Sequence, residues 1–282
     1  MKKELELLQG VMRENGVAIC IVPTNDFHGS EYINEYFRSR QFISGFTGSA
    51  GTLVVCEDSA YLWTDGRYFL QASLQLKESG IELMKTGEPG VPEIDEFLEK
   101  NLKEGDVLAF DGRVLACRIG DKYKQIADKC GAITKFDLDL PDLVWTERPK
   151  LLGNSIWALP ETSYGETFEE KLARVREAMI KSSVNYHLIT GLEENAWLYN
   201  LRGSDVDRSP IFFSFTLITP DSITLYKFGD DFDDLLKEKG VTVKSYLDIF
   251  EDIKLLPNEA AVLADFDAAS YSLIKSIPAP CK

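Results

Sequence analysis

The feature that most constrains the fold of this chain is an internal repeat. An apolar pattern with helical spacing stops at Asn15-Gly16 and runs into an apolar strand, Val17 to Val22, which is the order expected of an α/β unit. The same pattern returns 167 positions later and passes through Ser182-Ser183 into a second strand, Val184 to Ile189. The matching residues are Leu5 and Leu172, Leu8 and Val175, Met12 and Met179, and Val17 and Val184.

The repeat continues into two hairpins. Phe46-Thr-Gly-Ser49 resembles Leu201-Arg-Gly-Ser204, and a β-rich segment follows each. Those segments, 53–63 and 217–226, both turn at an Asp-Ser pair between apolar runs, as hairpins do. We therefore favour two copies of one α/β unit. A chance likeness between two generic α/β domains is the alternative left open.

The boundary between the copies is predicted at a segment that breaks regular structure. The linker is placed over residues 143–155, where Pro149 and Gly153 interrupt regular structure. A chain of 282 residues also fits two domains better than one core. We therefore expect domain I over residues 1–149 and domain II over residues 156–282. The other predicted elements are helices over 93–102, 120–131 and 232–239 and strands over 107–110, 241–243 and 261–264.

Composition excludes several classes of function. Forty-six acidic and 31 basic side chains give a net charge of −15, which repels nucleic acid and anionic membranes. No apolar run approaches the roughly 20 residues that span a bilayer, and the N-terminal MKKELELL is not a signal peptide. Five cysteines without a CxxC pair indicate neither a disulfide framework nor a zinc ribbon. A cytoplasmic protein is expected, without nucleic-acid or membrane partners.

The histidines do not indicate a metal site. The chain has only two, whereas metal catalysis needs several convergent His, Asp, Glu or Cys ligands. Asp26 and His28 have the spacing of ligands but stand alone, and a surface loop is the preferred interpretation. His187 alternates with apolar residues in a strand, which favours a packed histidine with satisfied hydrogen bonds.

A glycine-rich segment also lacks a recognisable chemistry. Thr47 to Gly51 departs from the nucleophile-elbow pattern at its first position, and no His and acid complete a triad with Ser49. The spacing of Gly45, Gly48 and Gly51 matches no phosphate-binding motif. Tight turning and close approach of the backbone explain these glycines better.

Two polar loops are the best candidates for a functional site. Asp65-Gly66-Arg67 is predicted to form a turn from which Arg67 projects. The planar fork of Arg67 could bind a peptide carboxylate or carbonyl. An ion pair with Asp65 is the structural alternative, and the same choice applies to Arg202 and Asp205 in the second copy. Tyr68 and Phe69 are expected to pack in the protein rather than stack on a ligand.

Through these loops the sequence resembles the cytosolic type of Xaa-Pro aminopeptidase, called aminopeptidase P, in the creatinase and prolidase group of pita-bread metallopeptidases. The resemblance rests on short motifs that occur in the family's order along nearly the whole chain. They are Ser30 to Ile33 (SEYI), Gly45 to Gly51 (GFTGSAG), Trp63 to Ala72 (WTDGRYFLQA), Trp145 to Pro149 (WTERP), Ala196 to Val206 (AWLYNLRGSDV) and Pro210 to Ser214 (PIFFS).

The resemblance implies an α/β fold of two similar creatinase-like domains, each a mixed β-sheet flanked by helices. A C-terminal pita-bread domain, absent from this chain, would follow and hold two divalent metal ions, typically manganese. Such enzymes remove the N-terminal residue from short peptides with proline second. The family's ligands, two Asp, one His and two Glu, belong to the third domain, and none is carried onto this sequence. The chain alone is therefore expected to bind no cofactor and to be inactive.

The family's functional residues are carried over only where a motif matches. Arg67 resembles the arginine that reaches toward the substrate, whereas Asp65, Arg202 and Asp205 resemble interdomain or near-site positions. The two N-terminal domains of the family also narrow access to the catalytic cleft. The expected partners are the C-terminal catalytic domain and short Xaa-Pro peptides, and a homodimer is left open.

The end of the sequence suggests truncation, because Ile277 to Lys282 reads as a Pro-rich connector. The alternative is a standalone module that kept a creatinase-like fold for binding peptides or proteins without catalysis. Prolidase and creatinase share the architecture, but the WTERP and LRGSD motifs fit aminopeptidase P better.

Overall fold

The computed structural model of the protein describes residues 2–278, which form two compact units. Unit 1 consists of the described residues up to Asp26 and of Glu35–Lys150, whereas unit 2 consists of Phe27–Asn34 and the described residues from Leu151 onward. The predicted domain I, residues 1–149, includes the segment Phe27–Asn34, which the structure assigns to unit 2. That segment lies early in the sequence but belongs to the second unit.

Unit 1 is a six-stranded mixed sheet with helices. The strands lie in the order β4-β3-β2-β1-β5-β6. β2 runs antiparallel to β1 and β3, and the other neighbours are parallel. In chain order the elements are α1 (Lys3–Glu14), β1 (Ile19–Pro23), α2 (Ser39–Ser44), β2 (Thr52–Cys56), β3 (Ala60–Thr64), α3 (Phe69–Gln75), β4 (Ile81–Lys85), α4 (Ile94–Asn101), β5 (Val107–Phe110), α5 (Cys117–Lys129) and β6 (Ile133–Lys135).

Helix α1 shows why the apolar spacing produces this fold. Leu5, Leu8 and Met12 are buried, because residues three and four apart share one face of a helix. The helix ends where the Asn15 side chain donates to the Val11 carbonyl at 2.9 Å and Gly16 takes a positive φ of 66°. Glycine accepts that left-handed conformation without steric cost.

Unit 2 repeats the topology of unit 1. Its main sheet has the order β12-β11-β10-β8-β13, and β7 and β9 form a separate pair. β10 runs antiparallel to β8 and β11, while β8 is parallel to β13 and β11 to β12. The elements are β7 (Trp157–Ala158), α6 (Phe168–Lys181), β8 (Tyr186–Ile189), α7 (Leu192–Tyr199), β9 (Leu201–Arg202), β10 (Ser214–Ile218), β11 (Ile223–Lys227), α8 (Asp233–Glu238), β12 (Thr242–Ser245), α9 (Ile249–Asp252), β13 (Val262–Leu263) and α10 (Tyr271–Ser276).

The internal repeat predicted from the sequence is confirmed at the level of topology. Strands β4, β3, β2, β1 and β5 correspond in order and direction to β12, β11, β10, β8 and β13. Both hairpins turn at the predicted Asp-Ser pairs. The Cys56 amide donates to the Ser59 carbonyl at 2.8 Å, and the Thr219 amide donates to that of Ser222 at 2.9 Å.

The first part of the predicted linker packs within unit 1. Trp145 stacks on Phe42 with ring centroids 4.5 Å apart. Arg148 pairs with Asp139 at 2.7 Å and donates through Nε to the Tyr36 carbonyl at 2.9 Å. Because the Arg148 side chain is nearly buried, these contacts fix the end of unit 1 rather than leaving it as a loose connection.

Three further sequence expectations concern membrane spans, the cysteines and the end of the sequence. No helix within residues 2–278 is long and apolar enough to cross a membrane. Cys20 and Cys117 are buried, and Cys56 is partly buried. Most of the predicted Pro-rich connector, together with Cys281, lies outside the described residues.

Neighbouring leucines of α1 test whether burial of one helix face stabilises unit 1. Leu8→Ala should lower the free energy of unfolding by about 2 to 5 kcal/mol, since Leu8 is fully buried and its loss leaves a cavity. Leu7 is 46% exposed, so Leu7→Ala should change stability by less than about 0.5 kcal/mol. Urea unfolding followed by circular dichroism measures both, and equal losses would contradict the described orientation of α1.

Candidate functional site

The first candidate loop is a tight turn at the end of β3. The Tyr68 amide donates to the Asp65 carbonyl at 3.0 Å. The Arg67 amide donates to Asp65 Oδ1 at 3.1 Å, as in turns where an aspartate bonds the backbone two residues on. Helix α3 begins immediately afterwards, at Phe69. The turn predicted from Asp65-Gly66-Arg67 is therefore present, and we call Asp65–Tyr68 the arginine turn.

Within this turn Asp65 and Arg67 form a two-point ion pair. Arg67 Nε lies 2.8 Å from Asp65 Oδ1, and Nη2 lies 2.8 Å from Oδ2. These side-chain bonds to Arg67 lower the pKa of the Asp65 carboxyl to about 2. The Arg67 side chain is 70% exposed, so solvent screens the pair and its effect on stability is small. Its main consequence is geometric, because it orients an exposed guanidinium.

Tyr68 connects the arginine turn to residues 45–51, which we call the glycine loop. The Arg67 Cζ atom lies 5.2 Å from the centroid of the Tyr68 ring, within the range of a cation–π contact. The Tyr68 hydroxyl lies 2.6 Å from Ser49 Oγ. The ring also meets Phe46 edge-on at 6.0 Å. Tyr68 therefore packs against the protein, as predicted, and ties Arg67 to the glycine loop.

The glycine loop is anchored by Arg40, which sequence reasoning did not single out. Arg40 is buried and donates from Nη1 to the Phe46 carbonyl at 2.6 Å and from Nη2 to the Gly48 carbonyl at 2.5 Å. Its Nε donates to Thr24 Oγ1 at 2.8 Å. Burial lowers the pKa of its guanidinium to about 10, which leaves it protonated at neutral pH. We call this set of bonds the Arg40 clamp.

Close packing explains the glycines of this loop. A Cβ atom on Gly48 would lie 2.2 Å from the Phe46 ring and 2.8 Å from the Tyr68 ring. A Cβ on Gly51 would lie 3.0 Å from the Trp63 carbonyl oxygen. Gly45 has a φ of 75°. Tight turning and close approach, the predicted reasons for these glycines, are therefore confirmed.

In unit 2 the side chain of the candidate Arg202 donates hydrogen bonds to nearby backbone carbonyls. Its Nη1 donates to the Ala196 carbonyl at 2.9 Å and to the Leu201 carbonyl at 2.8 Å. Ala196 belongs to α7, and Arg202 lies in β9, so the bonds join the helix to the strand that follows it. Both of these bonds from Arg202 are to backbone carbonyls of its own unit.

The candidate Asp205 is a buried loop anchor. Its Oδ1 accepts from the Asn154 amide at 2.5 Å, and its Oδ2 accepts from the Phe213 amide at 2.7 Å. Burial raises the pKa of Asp205, and the bonds from Asn154 and Phe213 oppose that rise. Asp205 and Arg202 therefore bond to different groups, unlike the directly paired Asp65 and Arg67.

The expectation of a surface loop at Asp26 and His28 was wrong, because both residues are buried. His28 Nδ1 lies 2.7 Å from the Thr190 carbonyl oxygen, so this nitrogen carries the proton and donates. His28 Nε2, 2.6 Å from the Tyr246 hydroxyl, then accepts from it. The ring is therefore a satisfied core histidine of unit 2.

His187 and the remaining donors do not form a metal centre in the described part of the chain. His187 Nδ1 lies 3.2 Å from the Leu263 carbonyl oxygen, and burial lowers its pKa. This agrees with the predicted packed histidine. Within residues 2–278 no group of three or more His, Cys, Asp or Glu residues is arranged to hold a metal ion.

Two stretches of the chain match models of one domain family. A model described as the creatinase/prolidase N-terminal domain matches residues 5–141. A second model with the same description matches residues 147–282. The two matches fall on the two copies of the repeat and together cover nearly the whole chain.

The chain is also similar to longer curated proteins. It is 37% identical over 270 residues to a probable Xaa-Pro aminopeptidase P of Coprinopsis cinerea. The aligned region covers 94% of this chain and 43% of that protein. A protein of the same name from Pyricularia oryzae is 40% identical over 259 residues, covering 88% of this chain and 41% of that protein. The chain therefore spans less than half the length of these relatives.

A solved structure shows the same fold. The X-prolyl aminopeptidase of Caenorhabditis elegans, described as a cytosolic enzyme with a di-nuclear active site, superposes with a TM-score of 0.87 at 27% identity. The match covers 94% of this chain and 45% of that chain.

The ion pair in the arginine turn makes the titration of Asp65 measurable. We expect its carboxyl to titrate near pH 2, and Arg67→Gln to move the midpoint up toward the ordinary aspartate value of about 4. Because the folded pKa is depressed, the stability contributed by the pair is present above about pH 4 and is lost as the pH falls toward 2. Carboxyl carbon shifts followed by NMR measure the midpoint, and the same midpoint in both proteins would exclude the pair in solution.

The Arg40 clamp should be a major stabilising contact of unit 1. Arg40→Met should lower the free energy of unfolding by about 2 to 4 kcal/mol, since it leaves the carbonyls of Phe46 and Gly48 without their charged donor. Arg40→Lys keeps the charge but not the fork and should lose part of that amount. Arg13 is exposed, so Arg13→Met is the matched control, with a change below about 0.5 kcal/mol. Equal unfolding curves for Arg40→Met and Arg13→Met would contradict the clamp.

Proposed function

Because this chain belongs to the creatinase/prolidase N-terminal domain family, we propose that it is the N-terminal portion of a metal-dependent Xaa-Pro aminopeptidase. Such an enzyme removes the N-terminal residue from peptides whose second residue is proline. The proposal is supported by a relative named probable Xaa-Pro aminopeptidase P, whose match covers 94% of this chain and which is more than twice its length. Under this proposal the chain acts together with a C-terminal catalytic domain.

The observation that carries the proposed site is the exposed, oriented guanidinium of Arg67. A flexible surface arginine would lose conformational entropy on binding a ligand. Arg67 is already oriented by two bonds to Asp65 and by the Tyr68 ring. We assign to it a contact with the peptide substrate, through a carbonyl or carboxylate oxygen that matches its planar fork. Asp65 then acts as the orienting partner.

The metal chemistry is assigned to the part of the longer protein outside this sequence. The donors within residues 2–278 do not form a set that fits a metal ion, so no catalytic step is derived from them. A pair of divalent ions, for which we favour manganese, would supply an activated water when bound. This agrees with the di-nuclear active site described for the structural relative in Caenorhabditis elegans.

The residues of this chain would then contribute binding and access rather than chemistry. We propose that the two units narrow the approach to the catalytic cleft, which favours short peptides. Arg202 and Asp205 stabilise a loop of unit 2 through backbone bonds, and we assign them a structural role in that gate. We place the enzyme in the cytoplasm, as described for the structural relative.

If the metal site lies in the C-terminal catalytic domain, peptidase activity should require a protein that includes that domain. The chain of 282 residues, purified and supplied with manganese, should release no residue from an Xaa-Pro tripeptide. A protein extended through the catalytic domain should release it. Turnover by the shorter chain that persists through purification and follows its concentration would contradict the proposal.

Within the extended enzyme, Arg67→Ala should lower kcat/KM roughly 5- to 150-fold. This corresponds to a loss of about 1 to 3 kcal/mol of transition-state stabilisation, as expected when a charged hydrogen bond to the substrate is removed. Arg13→Ala, an exposed arginine in the same unit, is the matched control and should leave kcat/KM unchanged. Unchanged kinetics for Arg67→Ala would show that the ion pair with Asp65 is purely structural.

A further inference from the structure

Strand β4 is an open edge of the unit 1 sheet. The two main sheets described within residues 2–278 end in four edge strands, β4, β6, β12 and β13. β4 has five residues, whereas β6 has three, β12 has four and β13 has two. An edge strand presents backbone groups that can pair with a strand of another molecule. β4 is therefore the longest such template in the described part of the chain.

The register with β3 shows which backbone groups of β4 face outward. The two strands are parallel, with Thr64 opposite Lys85, and the Thr86 amide donates to the Thr64 carbonyl at 3.1 Å. In a parallel ladder only alternate residues of a strand bond to a given neighbour. β4 therefore uses its even-numbered residues toward β3, and the backbone groups of its odd-numbered residues point away from the sheet.

Most of these outward groups are open. The Ile81 amide donates to Ser79 Oγ at 3.0 Å, and the Lys85 carbonyl accepts from the Glu88 amide at 3.1 Å. The Ile81 carbonyl, the amide and carbonyl of Leu83 and the Lys85 amide have no such bond to any residue between 2 and 278. Two donors and two acceptors thus alternate along the edge.

A second β4 strand matches this pattern when it runs antiparallel and the pair is centred on Leu83. Each Leu83 amide then donates to the Leu83 carbonyl of the other copy, and each Lys85 amide donates to the opposite Ile81 carbonyl. Every open group in both copies gains a partner. The arrangement also has the two-fold symmetry of a closed dimer, in which the same patch is used on both sides.

The charges beside β4 are complementary in the same register. An open groove of about 650 Å³ is lined by Met84 of β4 and by Phe97 and Lys100 of α4. Glu82 shares the face of Met84, because side chains two residues apart in a strand point the same way. In the pair centred on Leu83, Met84 lies opposite Glu82 of the second copy. That carboxylate is thereby brought to the groove that Lys100 lines.

Glu82 and Lys100 are available for this contact. Both side chains are exposed. Neither forms an ion pair with a residue of the described range 2–278. By symmetry the contact occurs twice, once at each end of the paired strands.

We propose that unit 1 binds a second copy of this chain through β4, which joins the two six-stranded sheets across a two-fold axis. Contacts between Glu82 of one copy and Lys100 of the other fix the register. The paired segment is short, so the dimer is weak compared with interfaces that bury roughly 1,000 Å² or more. The inference uses no part of the proposed aminopeptidase function and stands independently of it.

Sedimentation equilibrium of this chain provides the first test. A salt concentration of about 0.15 M screens the long-range repulsion between copies that each carry a net charge of −15. From about 1 μM to about 0.5 mM, the range in which weak contacts dissociate, the mass should rise reversibly from monomer toward dimer. The monomer mass at every concentration overturns the proposal.

Amide hydrogen exchange followed by NMR locates the contact. The amides of Leu83 and Lys85 should exchange about tenfold more slowly when nine-tenths of the protein is dimeric, because only the monomer leaves them open. The Ile81 amide, which is bonded to Ser79, is the internal control and should not change. A dimer without new protection at Leu83 and Lys85 is formed elsewhere, which overturns the proposal.

Exchange of charges tests the register. Glu82→Lys and Lys100→Glu should each weaken association about five- to twentyfold, since each brings like charges together at both ends of the contact. The double variant should recover the original association within about twofold. Glu14→Lys makes the same charge change at an exposed position of α1 and should leave association unchanged. A double variant as weak as the single ones, or equal weakening by Glu14→Lys, overturns the proposal.

Discussion

The buried guanidinium of Arg40 is the contact on which the candidate site of unit 1 depends. It bonds the carbonyls of Phe46 and Gly48 and so fixes a loop whose glycine allows Phe46 and Tyr68 to close over it. Ser49 in that loop then bonds Tyr68, and Tyr68 lies beside Arg67. An exposed arginine is thereby oriented by a chain of contacts that begins at a buried one.

In unit 2 the corresponding loop is anchored by an acidic side chain instead of a basic one. Its equivalent loop contains Gly203, where a Cβ atom would lie 2.6 Å from that of Phe212. Here the anchor is Asp205, whose carboxylate accepts from the amides of Asn154 and Phe213. A buried cation satisfies carbonyls in one copy, and a buried anion satisfies amides in the other. Both fulfil the rule that buried backbone groups need partners. In unit 1 the exposed Asp65–Arg67 ion pair lies in the neighbouring arginine turn, whereas Arg202 of unit 2 donates to backbone carbonyls.

The sequence predicted those features whose causes are local. The spacing of Leu5, Leu8 and Met12 fixes one face of α1, and the Asp-Ser pairs and Asp65-Gly66-Arg67 form turns through bonds within a few residues. Arg40 and His28 were not predictable in this way. His28 bonds to residues 162 and 218 positions away, and such partners leave no periodic pattern near the histidine. Strand β4 (Ile81–Lys85) was also not predicted, because such a short strand depends on its sheet neighbours.

A structure of the extended enzyme with a slowly cleaved Xaa-Pro peptide analogue tests the substrate contact of Arg67 most directly. We expect a peptide oxygen within hydrogen-bond distance, about 3 Å, of the Arg67 guanidinium, with Asp65 still bonded to the same arginine. A bound peptide that lies beyond the reach of Arg67, with the arginine turn unchanged, would contradict it.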